Sequence, residues 1–256
     1  MSNIAAMASS NQQQAASVRI EAVDSPSDFA QIFYCVSEAF GRQSDDALWT
    51  TLNPDWNTPR GQREGAEQLI KRWQSVKLDK EGRPNTIFLK ATLGDPEDET
   101  VRTIVAMAIW QQTSFADGYG DPPSDDLGEV LELLDPTDAR FASQMFRSFW
   151  KRRIEVTREK EHDHPPAIFV LDMCCVDPDH QRKGIAGKLA QWGLDEAKRR
   201  GNLECTTEAS SMGRGVYMKL GFRPEGDGAD IVYEVDDEFK SRDKPANLFL
   251  RTGGRT

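Results

Sequence analysis

The segment from Val176 to Lys188 constrains the fold more than any other, because it joins an apolar run to a helical pattern through a short polar turn. The mostly apolar run from Ala167 to Val176 predicts a buried strand. The turn ends in Gln-Arg-Lys-Gly-Ile-Ala-Gly, residues 181–187, where the helical pattern begins. A strand that leads into glycines at a helix start exposes backbone N–H groups and the positive end of the helix dipole. The segment therefore predicts a site for a phosphate group.

The two common nucleotide-binding motifs do not fit this turn. A P-loop requires Ser or Thr after Gly-Lys, but Gly187-Lys188 is followed by Leu189, and the position of the first glycine holds Arg182. The dinucleotide motif requires three glycines at a spacing that Gly184 and Gly187 do not satisfy. What remains is Gln-x-x-Gly-x-Ala directly after an apolar strand.

Composition narrows the class of protein. The chain has 256 residues, 38% of them hydrophobic and 29% charged, and no run approaches the roughly 20 apolar residues that span a bilayer. A net charge of −10 argues against a broad nucleic-acid surface, which works by neutralising phosphates. Residues 1–16 lack the basic and apolar regions of a signal peptide and predict a disordered tail. We expect a soluble cytoplasmic protein, with a nuclear location left open.

Cysteine and histidine provide no metal motif. The chain has four cysteines and three histidines without a CxxC pair or zinc-like spacing, so no metal site is predicted. Adjacent Cys174 and Cys175 are expected to be reduced thiols within a strand. Nothing near them is suited to lower a thiol pKa, so a covalent cysteine mechanism is disfavoured.

The order of predicted elements is β-α-α-β-β-insert-β-α-β-α-β, which indicates a mixed sheet with helices on both faces. The predicted strands are 18–23, 86–92, 102–112, 168–176, 203–209 and 231–235. The predicted helices are 26–40, 65–76, 137–160, 186–200 and 214–220. Residues 48–60 are predicted to be irregular, 114–166 form a loop and helix insert, and the last thirty or so residues form an extended end. One domain is expected over 17–252.

A second motif, Tyr-x-Lys-Leu-Gly-Phe, lies at 217–222. It follows by about thirty residues the turn at 181–187, which we call the glycine turn. The two motifs in this order resemble the GNAT superfamily, the N-acyltransferases that use acyl-coenzyme A. The resemblance covers most of 18–235 apart from the insert, and residues 235–240 and 247–249 resemble the ending of fungal members. It implies an α+β fold: a splayed mixed sheet of about six to seven strands flanked by helices on both faces.

The resemblance also implies acetyl-CoA as cosubstrate, with its pantetheine arm in the gap of the sheet and its diphosphate on the glycine turn. Ser210 replaces an asparagine that many members use to contact pantetheine, so this contact is in doubt. Arg182 and Lys183 are expected to add positive charge near the diphosphate, although exposed basic side chains on a loop are often only solvated. The cofactor-binding residues expected on this basis are Met173, Cys174, Cys175, Val176, Gln181, Arg182, Lys183, Gly184, Ile185, Ala186, Gly187, Lys188 and Ser210.

Direct acyl transfer needs a neutral amine, a stabilised oxyanion and a departing thiolate. A lysine-like amine has a pKa of ~10.4 and is mostly protonated at neutral pH, so a general base is needed. Tyr217 occupies the position of the superfamily's general acid. Asp172 lies where some members place a glutamate base, and its pKa of ~3.9 would need to be raised by burial. Glu208 is the other candidate base. For both carboxylates, the alternative is a purely structural role within a strand.

The predicted function is transfer of an acetyl group from acetyl-CoA to an amine of a small molecule, peptide or protein. A GNAT-fold protein that binds or senses acyl-CoA without turnover is the alternative. We expect the acceptor site to be shaped by residues 114–166 and 48–60. For the insert at 114–166, covering the sheet is an equally good explanation. A homodimer is expected from the superfamily. The acceptor and the acyl chain length stay open.

Overall fold

A computed structural model of the protein describes residues 17–95, 98 and 100–253, so the predicted tail at 1–16 lies outside the described residues. In the described part, a seven-stranded mixed sheet carries helices on both faces. Across the sheet the strands follow chain order, except that the seventh lies between the fifth and the sixth. The fold class predicted from the sequence is confirmed.

The strands are β1 (Val18–Ala22), β2 (Thr86–Gly94), β3 (Arg102–Thr113), β4 (Ile168–Val176), β5 (Glu204–Ser210), β6 (Arg223–Pro224) and β7 (Asn247–Arg251). The helices are α1 (Phe29–Val36), α2 (Ala47–Leu52), α3 (Pro59–Gln74), α4 (Pro136–Glu159), α5 (Ile185–Arg199) and α6 (Arg214–Lys219). Helix α1 continues into a π-helical stretch, Ser37–Gln43, and a 3₁₀ turn covers Gly128–Leu133 within the insert. None of the helices in the described part combines the length and apolar composition that crossing a membrane requires.

The prediction that 48–60 is irregular is wrong at both ends, where α2 and α3 lie, and holds only for 53–58 between them. The Asp46 carboxylate accepts hydrogen bonds from the N–H groups of Leu48 and Trp49 and begins α2. Thr58 caps α3, and Pro59 occupies its first turn, six residues before the predicted start. A proline at the first helical position favours a helix, because its missing N–H would have no partner there.

Strand β4 lies at the centre of the sheet, antiparallel to β3 and parallel to β5. Its register with β3 shifts where Ile109 faces Met173 and Trp110 faces Leu171, which leaves Asp172 as an extra residue on β4. Such a β-bulge redirects a side chain and is common next to functional sites.

Strands β4 and β5 pair only along Ile168–Val170 and Glu204–Thr206. Beyond this point Thr207 Oγ1 donates a hydrogen bond of 2.9 Å to the Leu171 carbonyl, and the two strands separate. The splayed opening that the resemblance implies is therefore present between them.

The prediction of a strand at 231–235 is also wrong. The Ile231 N–H donates to the Asn247 carbonyl at 2.7 Å, but the Glu234 N–H donates to Ser148 on α4. The apolar alternation of this segment comes from packing on α4, where Tyr233 is buried. The strand that completes the sheet is β7, whose five residues are all buried between β5 and β6.

Helices α1 and α3 pack on one face of the sheet, and α5 packs on the other. Trp110 is fully buried beneath α5 and donates from Nε1 to the Leu189 carbonyl at 3.3 Å. A Cβ atom at Gly193 would lie 1.9 Å from the Trp110 ring, so this glycine is what allows α5 to sit directly on the indole. Helix α4, from the predicted insert, covers the β4–β5 side through Val156.

Candidate active site

A cleft of about 510 Å³ opens where β4 and β5 separate. Of the predicted site residues, Asp172, Met173, Cys174, Ser210 and Tyr217 line it. Cys175 and Val176 do not line it, although they continue the same edge of β4. The structure thus places Tyr217 of the second motif in one cavity with the part of β4 that precedes the first motif, whereas residues 181–188 lie outside the cavity lining.

The glycine turn lies at the end of β4, where α5 begins. Gly184 has a φ of 76° and Arg182 a φ of 63°, so both adopt the left-handed conformation, which glycine tolerates best. The first N–H groups of α5 have no acceptor within the helix and point toward the turn. The side chain of Gln181 donates to the Val176 carbonyl at 3.0 Å and to Gln43 at 2.7 Å. Gln181 therefore fastens the turn to the sheet.

The predicted basic residues of the turn, Arg182, Lys183 and Lys188, are exposed. Lys183 Nζ lies 3.5 Å from the Asp179 carbonyl and 3.3 Å from His180 Nδ1. Their charge reinforces the positive end of the α5 dipole, and the arrangement suits an anion of phosphate type.

Within the first turn of α5, Ile185 is buried in the core while Ala186 and Gly187 are half-buried. A Cβ atom at Gly187 would meet only Val216, at an ordinary 3.9 Å. Packing of α5 therefore does not require glycine at this position.

Tyr217, on α6, is buried with its side chain facing Cys174. A Cβ atom at Gly213 would lie 2.9 Å from the Tyr217 ring, so Gly213 makes room for it. Burial and then the neighbouring Cys174 raise the pKa of Tyr217 well above its ordinary value. The hydroxyl is protonated at neutral pH and suits the donation of a hydrogen bond or a proton.

Asp172 is held by two guanidinium groups. Its Oδ1 lies 2.6 Å from Arg153 Nη1, and its Oδ2 lies 2.7 Å from Arg72 Nη2. Burial by itself would raise the pKa of Asp172, but Arg72 and Arg153 outweigh it and hold the pKa well below the usual value. The predicted role of Asp172 as general base does not fit this environment, because a base needs a raised pKa.

Glu208 forms the other half of this ionic cluster. Both of its carboxylate oxygens contact Arg153, whose side chain is fully buried. Burial raises the pKa of Glu208; Arg153 opposes that shift, and the charge of Asp172 adds to it. Glu208 lines the cleft and is the more basic of the two carboxylates. It fits a proton acceptor better than Asp172 does.

Sequence reasoning did not identify Arg153 and Arg72. Arg153 lies on α4 with the buried Met145 and Val156 and stacks over Trp150 at 4.2 Å. The signal was available, because an arginine at helical spacing within an apolar stripe predicts a buried ion pair. Its carboxylate partners lie on other elements, and only the fold brings them together.

Ser210 ends β5 at the wall of the cleft and is half-buried. Its Oγ accepts a hydrogen bond of 3.2 Å from the Gly213 N–H. The serine at this position supports the turn into α6, so an additional contact to a ligand would have to share this oxygen.

The cysteine thiols are poor nucleophiles in this fold. Burial raises the pKa of Cys174 to about 11, with Tyr217 opposing the shift, and burial raises the pKa of Cys35 and Cys205 to about 12. Within the described ranges, no group of three or more His, Cys, Asp and Glu residues is arranged to hold a metal ion.

Comparison with known proteins agrees with this architecture. Residues 154–230 match the family model described as the acetyltransferase (GNAT) domain, and this stretch contains both motifs. A comparison of the sequence with curated proteins finds no match.

Solved structures of similar fold include three acetyltransferases. Arylalkylamine N-acetyltransferase 2 from Aedes aegypti is 18% identical, with 91% of this chain and 97% of that chain covered and a TM-score of 0.53. The polyamine N-acetyltransferase of Drosophila melanogaster is 13% identical, with 92% and 97% covered and a TM-score of 0.52. The apo form of an agmatine N-acetyltransferase variant is 11% identical, with 92% and 98% covered and a TM-score of 0.57. The chain therefore has the GNAT fold.

Proposed function

We propose that this protein is an acetyl-CoA-dependent N-acetyltransferase that transfers the acetyl group directly to an amine. The observation that carries the proposal is the cleft at the splay of β4 and β5, with a buried, protonated Tyr217 on one wall and the N-terminus of α5 beyond its end. The family match over 154–230 supports the same reaction class.

The cofactor would lie along the free edge of β4. From Leu171 onward this edge has no backbone partner on β5 in the described chain, so a pantetheine amide has N–H and C=O groups to pair with near residues 173–176. The diphosphate would bind the N–H groups of 182–187 at the start of α5. Arg182, Lys183 and Lys188 would supply charge, and Gln181 would hold the turn in place.

The chemistry would divide between two buried groups. Glu208 accepts a proton from the ammonium form of the acceptor, and the lone pair that this frees forms the new C–N bond to the thioester carbonyl. Backbone N–H groups on the free edge of β4 stabilise the oxyanion, and Tyr217 donates its proton to the sulfur as the C–S bond breaks. The proton that the new amide nitrogen then loses restores the tyrosine. Asp172 would act as a positioning residue, because it keeps Arg153 against Glu208.

The acceptor would be an amine. The three structural neighbours are named for arylalkylamine, polyamine and agmatine acetylation, and these compounds form a rational first panel. A peptide amine belongs in the same panel.

A thiol-release assay with acetyl-CoA and this amine panel tests the proposal, together with calorimetric binding of acetyl-CoA. Release that depends on the amine is expected. Binding without release across the whole panel would favour a non-catalytic acyl-CoA sensor instead, and an absence of binding would refute both functions.

A further inference from the structure

Two aromatic walls face each other across the acceptor side of the cleft. One wall comes from α1, α2 and the π-helical stretch between them, and the other comes from α4. Most of these rings are only half-buried, so they still present apolar surface to the cavity. The rings that line the cleft are Phe33, Phe40 and Trp49 on the first wall and Phe146, Phe149 and Trp150 on the second.

The lining of the same cleft contains two acceptor atoms that have no hydrogen-bond donor among the described residues. The Asp46 Oδ1 atom caps α2, but its Oδ2 atom has no hydrogen-bond partner among the described residues. Gln111 Oε1 is buried and likewise has no partner in the described part of the chain. Both residues line the cleft. Acceptors without donors suit an ammonium group, which offers only donors.

The charge of the cleft points in the same direction. Its lining contains four carboxylates, Asp46, Asp126, Asp172 and Glu208, but Arg72 is the only cationic side chain in that lining. Arg153 reaches Asp172 and Glu208 from behind the wall. Asp46 and Asp126 have no ion-pair partner among the described residues, so the acceptor side favours a cation.

We infer that the acceptor is a primary amine with an aryl or bulky alkyl group, bound between the aromatic walls with its ammonium first held by Asp46. This inference rests on the proposed function, since it specifies the acceptor of the same site. A short polar amine would leave the rings in contact with water. A long polyamine would place further charges against apolar surface, which is unfavourable.

A long acyl chain on the cofactor is the competing occupant of the apolar walls. It offers no cation to Asp46 and no donor to Gln111, whose Oε1 atom would stay buried without compensation. An amine with an apolar group accounts for the rings and for the carboxylate of Asp46 together.

The test uses the wild-type protein and thiol release. With acetyl-CoA fixed, kcat/KM is measured for ethylamine, butylamine, hexylamine and phenethylamine, and for putrescine, spermidine and agmatine. We expect an increase of about three- to four-fold per added methylene, as burial of apolar surface predicts. Phenethylamine should exceed every amine of the polar set. A second arm varies the donor from acetyl- to octanoyl-CoA with butylamine fixed, and no comparable increase is expected.

The assay distinguishes failure of this inference from failure of the proposed acetyltransferase function. Equal or better turnover of putrescine, spermidine or agmatine would overturn the inference while leaving the acetyltransferase intact. An increase that follows acyl length in place of amine size would assign the walls to the donor and would also overturn it. No release with any amine would instead remove the proposed function.

A variant isolates the ammonium contact. Asp46→Asn keeps an acceptor at the start of α2, since asparagine caps helices as well as aspartate, but removes the charge. We expect KM for phenethylamine to rise roughly tenfold, with acetyl-CoA affinity and melting temperature near wild type. The matched control is Asp135→Asn, which makes the same change at the cap of α4 outside the cleft lining. An unchanged KM in the Asp46 variant would contradict its role.

Discussion

At the scale of single residues, the two candidate bases share Arg153 and differ in whether they have a second guanidinium partner. Arg153 lies between Asp172 and Glu208 with its side chain fully buried. Asp172 has a second guanidinium partner in Arg72, whereas Glu208 has Arg153 alone among the described residues. The sequence motif predicts the tyrosine but not this asymmetry, because its members come from α3, α4, β4 and β5.

Arg153→Met is predicted to lower the free energy of unfolding by roughly 3–5 kcal/mol, since it leaves two buried carboxylates without their shared partner. Urea denaturation measures the change. Arg147→Met on the same helix is the control and should change stability by less than ~1 kcal/mol, because Arg147 is exposed and pairs loosely with Asp125 at 3.6 Å. A triple variant that also carries Asp172→Asn and Glu208→Gln should recover part of the loss. A stable single variant would contradict this account of the cluster.

Tyr217→Phe is predicted to lower kcat by up to about 10²-fold through loss of the general acid, with acetyl-CoA affinity near wild type. The ring stays in its pocket, so stability should change little. Steady-state kinetics and calorimetry check both parts. Tyr119→Phe is the control, because that hydroxyl contacts Lys80 away from the cleft. Equal kcat in the Tyr217 and Tyr119 variants would remove Tyr217 from the mechanism.

Glu208→Gln is predicted to lower kcat about 10²-fold and to abolish the fall in kcat toward acid pH. The sign follows from the raised pKa of Glu208: below that pKa the carboxyl is protonated and cannot accept a proton. Rates between pH 5 and 9 test it. Glu204→Gln, a buried ion-paired glutamate at the other end of β5, is the matched control. An acid limb that survives in the Glu208 variant would assign the base elsewhere.

At the scale of elements, the strand–turn–helix unit was predictable because its information is local. An apolar run, a proline turn and glycines at a helix start lie within a few residues of each other, and β4 and α5 formed within one residue of their predicted bounds. Elements specified by distant partners were not predictable. The sequence does not predict strand β7, because this strand is defined by antiparallel pairing with β5 and β6. It predicts a strand at 231–235 because apolar residues alternate there, but the alternation arises from packing on α4.

Gly184→Glu is predicted to weaken acetyl-CoA binding by at least tenfold, because it brings negative charge and backbone strain to the start of α5. Gly82→Glu is a closely matched control: Gly82 has a φ of 77° against 76° for Gly184, and a Cβ atom at either position meets nothing within 4 Å. The strain is therefore the same, and only the site differs. Calorimetry should show normal affinity in the control; equal affinity in both variants would mean that this turn does not hold the diphosphate.

A second ionic cluster fastens α4 to the end of the sheet. Glu225 contacts Arg152 on α4 and Arg251 on β7, each at 2.5 Å. The hydrogen bond from Arg152 lowers the pKa of Glu225 to about 2, against the effect of burial and with help from Arg251. A carboxylate whose pKa is lowered by folding stabilises the folded state at pH values above its unfolded pKa of about 4.5. This stabilisation is lost as the pH falls toward 2.

Glu225→Gln should therefore lower the free energy of unfolding at pH 7 by roughly 1–3 kcal/mol, with the difference from wild type vanishing as pH falls from 4.5 to 2. Urea titrations at several pH values measure it. A difference that stays constant over this range would contradict the assigned ion pairs.

At the scale of the whole molecule, the two sides of the cleft differ in how far the sequence alone predicts them. The side proposed for the cofactor is built from β4, the glycine turn, α5 and α6, which lie close together in the chain, so two motifs were enough to propose it. The side proposed for the acceptor combines α1, α2 and α3 with α4, which begins only at Pro136, and no local motif links them. Helix α4 contributes an aromatic wall of the cleft and Arg153, and it also packs on the sheet through Val156.

The central claim is transfer of an acetyl group from acetyl-CoA to an amine within this cleft. Mass spectrometry of a reaction with phenethylamine, run beside a thiol assay, tests it most directly. We predict one N-acetylated amine for each thiol released, with both signals reduced together by Tyr217→Phe. Bound acetyl-CoA with no acetylated product, for phenethylamine and for the rest of the amine panel, would contradict the account.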